Sequence, residues 1–67
     1  MTRKETLGDR IRVAREAAGF TNQTKPAGRV GITQPQWSAY ETDRKVPNLA
    51  TLRKIARALG VEPGELI

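Results

Sequence analysis

The stretch Gly31-Ile32-Thr33-Gln34-Pro35-Gln36-Trp37-Ser38-Ala39-Tyr40-Glu41 decides how the rest of this chain is read. Thr33 is a good helix N-cap, because its hydroxyl can accept a backbone N–H from two or three residues on. Pro35 then falls in the first turn, where a missing N–H removes no helical bond. Trp37 and Tyr40 stand three apart and share a face, which favours core packing over base stacking. Gln34, Gln36, Ser38 and Ala39 fall on the other faces. The prediction is a short helix from Thr33 to about Glu41, with two amides at its N-terminal end and two aromatics beneath it. Glutamines just after a glycine-led turn, in a basic chain, form a candidate edge for reading bases.

Upstream of this helix, Thr2 with Glu5, or Thr6 with Asp9, offers a capping-box start. Leu7, Ile11, Ala14 and Ala18 then recur on one apolar face, with Arg10, Arg12 and Glu16 outside it. Gly19 is a natural stop, and Phe20 turns back toward the core. Thr21 or Asn22 caps a second helix, with Gln23 in its first turn. Pro26 and Gly28 make this helix intrinsically poor, since interior Gly costs about 1 kcal/mol against Ala and Pro about 3 past the first turn. Gly31 ends it.

Downstream, Thr42-Asp43-Arg44-Lys45-Val46-Pro47 reads as a polar, basic loop. Asn48 caps a fourth helix, in which Leu49, Leu52, Ile55, Ala56 and Leu59 form a stripe of period 3.6. Arg53, Lys54 and Arg57 face away from it, either as a phosphate track or as a wet surface. Gly60 stops this helix. Val61, Pro63, Leu66 and Ile67 lead into a short fifth turn or helix, whose apolar end serves as a core lid or as a dimer contact. No strand pattern and no internal repeat is present. The expected fold is all-α: a compact bundle of five short helices.

Composition narrows the function. At 67 residues the chain is expected to form one domain, 1–67, with 1–6 as a flexible N-terminal arm. A domain of this size buries only about 60% of its unfolded-chain surface, so its stability margin is thin. Cysteine and histidine are both absent. That removes disulfides, thiolate catalysis, Cys-based zinc sites and the usual general base and metal ligand. Glu41 has no second carboxylate at a useful spacing, so a catalytic role for it is not supported. No enzyme, metal or cofactor is expected. The net charge is +5 and the isoelectric point is near 10.5, which suits a polyanionic partner. Residues 21–57 hold seven basic and two acidic residues, so the excess surrounds the central helix. No run is apolar enough to span a membrane and no secretory segment is evident, so a cytoplasmic, nucleoid-associated protein is expected.

Several motifs now fall into one order: A-R-E-x-x-G-F (14–20), N-Q (22–23), A-x-x-V-G-I-T-Q (27–34), W-x-x-Y-E (37–41) and P-N-x-x-T-L-x-x-I-A-x-A-L-G-V (47–61). Over roughly residues 7–67 this resembles the phage repressor and Cro type of helix-turn-helix domain, also called the XRE family. The resemblance implies a lambda-repressor-like fold. The second and third helices would form the helix-turn-helix, Gly31 the turn, and the third helix would lie in the DNA major groove. Gln34 matches the first base-reading position, where a glutamine pairs with adenine N6 and N7, and Ala39 a later groove-facing one. Gln23 matches a glutamine that contacts phosphate and braces the first reader. Thr42 and Arg44, with Lys45 beside them, match a loop that meets the backbone. Arg15 and Glu41 match a largely buried ion pair.

Four departures from the family pattern are visible. The loop between Gly19 and Gln23 is one residue longer than usual. Pro26 replaces a buried leucine. Pro35 replaces a frequent second base reader, which shifts readout toward Gln34, Gln36 and DNA shape. Asp43 stands where a left-handed Gly is common, a conformation that Asp tolerates. The resemblance implies a sequence-specific regulator of transcription, a repressor, binding a pseudo-palindromic double-stranded operator as a homodimer. The alternative is an antitoxin-like or adaptor module that keeps the fold without reading DNA. A retained set of Gln23, Gln34 and Arg44 favours the former.

Overall fold

Local capping chemistry sets where each helix begins and ends. The computed structural model describes residues 5–67, and among these the chain forms four α-helices with no strand. The helices are α1 (Leu7–Ala17), α2 (Thr24–Val30), α3 (Gln34–Glu41) and α4 (Leu49–Leu59). Thr6 and Asp9 form the capping box that opens α1. Thr2, the alternative cap, and most of the expected arm lie outside the described residues. Thr33 opens α3 through a capping box with Gln36, and Asn48 opens α4 by accepting from the Thr51 N–H at 2.8 Å. Gly31 and Gly60 close α2 and α4 in the left-handed region, at φ 87° and 73°. There the N–H groups of Ile32 and Val61 reach back to the carbonyls of Ala27 and Ala56.

The expected fifth helix is instead a single 3-10 turn, Pro63–Glu65. Leu66 is already drawn into the core, and the three residues before it leave no room for an α-helical turn. Leu66 therefore acts as a core lid, while Ile67 stays exposed. Leu49 also departs from expectation. It opens α4 at the edge of the apolar stripe and is 56% exposed.

Ile11 of α1, Ala27 and Val30 of α2, Trp37 of α3, and Leu52, Ile55, Ala56 and Leu59 of α4 form one core with Leu66. Within it α1 packs on α3, and α2 packs on both α3 and α4. Trp37 and Ile55 are fully buried. Tyr40 and Phe20 pack at the margin, so the aromatics serve the core, as their shared face suggested.

α2 starts later than the sequence suggested. Asn22 supplies the cap, its side-chain oxygen accepting from the N–H groups of Thr24 and Lys25 at 3.1 and 3.3 Å. Gln23 holds the N-cap position but makes no side-chain cap bond. The shift makes Pro26 the third helical residue, where the N–H it lacks is one of the unsatisfied first-turn donors. Pro26 is buried among the largest core groups. It is thus a fitted first-turn proline and not a defect. Gly28 is exposed, with open space where a Cβ would stand.

Candidate nucleic-acid interface

α3 presents its N-terminal turn to solvent. Gln34, Pro35 and Gln36 are exposed, while Trp37 beneath them is buried. Gln36 is partly engaged within its own turn. Its Oε1 accepts from the Thr33 N–H at 2.9 Å, while the Thr33 hydroxyl accepts from the Gln36 N–H at 3.2 Å. The Nε2 end of Gln36 takes no part in this capping box. Ala39 is half-buried farther along the helix.

Gln34 is held from behind. Its Nε2 donates to Gln23 Oε1 at 2.7 Å, and Gln23 Nε2 donates to Glu41 Oε1 at 2.9 Å. Glu41 in turn is buried and accepts at Oε2 from Arg15 Nε and from Trp37 Nε1, both at 2.6 Å. Arg15 also donates to the Phe20 carbonyl at 2.8 Å. One connected network therefore runs from the α1 guanidinium, through the last residue of α3, to the first residue of α3. Every member has partners, and among the described residues no buried side-chain nitrogen or oxygen is left without one. A fully satisfied buried network fixes side-chain geometry, whereas a partly satisfied one would destabilise the core. Arg15 and Glu41 thus form the brace expected of them.

The loop after α3 folds back on the helix it leaves. The Thr42 hydroxyl donates to the Ser38 carbonyl at 2.9 Å, and the N–H groups of Arg44 and Lys45 donate to the Ala39 carbonyl at 2.9 and 3.2 Å. The backbone of Arg44 and Lys45 is thereby pinned beside the last turn of α3, with both side chains exposed. Asp43, just before them, takes φ 63°, the left-handed conformation expected there. Its carboxylate accepts from the Thr6 hydroxyl at 2.6 Å and from the Gly8 N–H at 3.0 Å. That carboxylate ties the loop to the positive end of the α1 dipole. Arg29, Lys54 and Arg57 line a shallow groove between α2 and α4 that no α3 residue borders. They form a second basic area apart from Gln34.

Three participants escaped the reading of the sequence. Gly8 is buried, and a Cβ there would lie 2.5 Å from the Glu41 carbonyl and 2.6 Å from the Tyr40 carbonyl. A lone glycine inside an otherwise good helical pattern is the signal that could have found it. Trp37 as a donor was readable from its spacing of four from Glu41. The Asp43 contact joins residues far apart in sequence and has no local signature. No group of His, Cys, Asp or Glu among the described residues is placed to hold a metal ion, and no helix among them is long and apolar enough to cross a membrane.

Comparison with known proteins places this geometry. The family described as "Helix-turn-helix domain" matches residues 6–67. The SPbeta prophage-derived uncharacterized HTH-type transcriptional regulator YonR of Bacillus subtilis (strain 168) is 33% identical over 61 residues, covering 91% of this chain. The match spans 56% of that protein, so this chain corresponds to about half the length of its curated relative. Among solved structures, the P22 c2 repressor protein, in complex with synthetic operator 9T, superposes with a TM-score of 0.87 at 26% identity, covering 96% of both chains. The restriction-modification controller protein C.AhdI from Aeromonas hydrophila superposes with a TM-score of 0.83 at 31% identity, covering 91% of this chain and 87% of that one. With an exposed α3 backed by the Gln23–Glu41–Arg15 network, and with these likenesses across nearly the whole of its described length, the chain belongs to the helix-turn-helix family of the phage repressor and Cro type.

Proposed function

We propose that this protein is a sequence-specific double-stranded DNA-binding regulator of transcription, acting as a repressor, with α3 in the major groove. The observation that carries this reading is the exposed Gln34 amide held in place by Gln23. Such a pre-set amide suits the base edge of adenine, which offers a donor at N6 and an acceptor at N7. Gln34 is the principal base reader, Gln36 contributes through its Nε2, and the Ala39 methyl meets a thymine methyl. Gln23, Thr42, Arg44 and Lys45 contact phosphates, which position the domain without reading sequence. Residues 1–67 act as one DNA-binding domain and need no cofactor or catalytic group.

One short helix reaches only a few base pairs. The protein therefore acts as a homodimer on a pseudo-palindrome whose half-site centres lie about one helical turn apart. A non-membrane, cytoplasmic location follows from that partner. The adaptor alternative is not favoured, because Gln23, Gln34 and Arg44 are all retained and the two glutamines are joined.

Selection from a random duplex pool, followed by titration of the best site, tests this reading. The logarithm of affinity should fall linearly with the logarithm of salt, by about 0.9 per phosphate neutralised. Gln34→Ala should weaken the best site by about 1–3 kcal/mol and relax one base pair per half-site. Arg44→Ala should weaken all sequences alike. Absent or salt-insensitive binding would overturn the reading.

A further inference from the structure

A chain of hydrogen bonds between a carboxylate and two amides has a direction, because a carboxylate only accepts. Glu41 Oε1 therefore draws the Nε2 end of Gln23 toward itself, at 2.9 Å. That turns the Oε1 of Gln23 toward Gln34, and the oxygen takes an N–H from Gln34 at 2.7 Å. Gln34 is left with Oε1 and one remaining N–H facing outward. Glu41 itself is held in register by Arg15 Nε and Trp37 Nε1, which both converge on its other oxygen. The exposed amide is thus joined, through Gln23, to a buried carboxylate on the opposite end of α3.

We propose that Glu41 is a positioning residue for base choice: acting through Gln23, it sets the outward polarity of Gln34 and so selects adenine over guanine. This rests on the reading of Gln34 as a base-contacting residue. Adenine offers N6–H to Gln34 Oε1 and N7 to the one free N–H, so both bonds form. Guanine offers acceptors at both O6 and N7. An amide locked in this polarity meets guanine with an oxygen facing O6 and only one hydrogen to give. An unlocked amide would have both Nε2 hydrogens for O6 and N7, and the discrimination would collapse.

The test uses the full chain and duplexes taken from the selected site, with A·T or G·C at the base pair to which Gln34→Ala is indifferent. Wild type should favour A·T by about tenfold or more, within the span that a bidentate base contact commands. Gln23→Met keeps side-chain length and leaves Arg15, Trp37 and Glu41 joined, but transmits no polarity. It should reduce the A·T over G·C ratio several-fold. Loss of a phosphate contact or of stability would lower binding to both duplexes and leave the ratio unmoved. Glu41→Gln should go further. The oxygen of the new amide takes the place between Arg15 and Trp37, and its N–H₂ faces Gln23, reversing each link. The preference should then collapse or turn toward G·C in protein that still melts cooperatively. Gln23→Met decides the matter if Glu41→Gln does not fold. A Gln23→Met ratio equal to wild type overturns the proposal while leaving the DNA-binding reading intact. A wild-type preference for G·C at that pair does the same. Failure of wild type to prefer any sequence overturns both.

Discussion

The joint between α1 and α3 contains a buried ion pair, whereas the joint between α2 and α4 is apolar. Across the first, Gly8 sits against the α3 backbone and the Arg15 guanidinium meets the Glu41 carboxylate. Across the second, Pro26, Ala27 and Val30 of α2 are the buried partners of Leu52, Ile55, Ala56 and Leu59 of α4. Apolar packing tolerates small shifts, because it is non-directional. A hydrogen-bonded network tolerates few, because its bonds depend on angle and distance. The joint that holds the recognition helix is the directional one. The apolar joint stands behind it.

The comparison is sharpest where the polar joint is broken from one side. Arg15→Met should lower stability by about 3–5 kcal/mol, because it strands the Glu41 carboxylate in the interior. Arg15→Met combined with Glu41→Leu should cost clearly less than the two single changes added together, since neither charge is then left alone. Denaturant titration of the four proteins checks this. Additive single effects would mean that the pair is not coupled.

Gly8→Ala comes next. The new Cβ would meet backbone, not a flexible side-chain end, so α1 must move away from α3. A loss of about 1–3 kcal/mol is expected, with a lower melting temperature. Trp37 is the sole tryptophan, so its fluorescence should report the displacement directly. A melting temperature equal to wild type would show that α1 and α3 can part at Gly8 without loss.

In the apolar joint, Ile55→Val removes one methylene from a fully buried site and should cost about 0.5–1.5 kcal/mol. Affinity for DNA should hardly change, because α3 keeps its polar anchors. An equal loss of DNA affinity would erase the distinction between the two joints.

The smallest effect is a gain. Gly28→Ala on the exposed face of α2 should raise stability by about 0.5–1 kcal/mol, since the site has open space and helical geometry. Pro26→Leu should add nothing and lower the melting temperature, because the proline already fills its place and its missing donor is not needed. A rise with Pro26→Leu would restore the view of Pro26 as a defect.

Much of the fold was legible because helix boundaries and apolar stripes are local. Thr33, Asn48, Gly31 and Gly60 act within a turn of their own positions, and the stripe from Leu52 to Leu59 repeats at the helical period. The recognition helix could be placed from eleven consecutive residues. Local rules also misjudge some positions for an identifiable reason. Pro26 is a penalty only in a helix that starts earlier, and a shift of that start by about one or two residues turns the penalty into a fit. Leu49 satisfies the periodicity but stands at the end of its helix, past the edge of the core.

Tertiary structure alone decided what meets across the fold. Gly8 must be small because α3 crosses it, and Asp43 holds its left-handed conformation by reaching the start of α1, a contact between residues 35 apart in sequence. The direction of the bonds through Gln23 depends on Glu41 being buried beside Arg15, 26 residues earlier. Sequence by itself determined which segments are helical and which polar side chains stand on the first turn of α3, because propensity, capping and periodicity act over one or two turns. Which end of the Gln34 amide faces outward was decided only by packing, because hydrogen-bond polarity passes through space between helices and leaves no trace in the spacing along the chain.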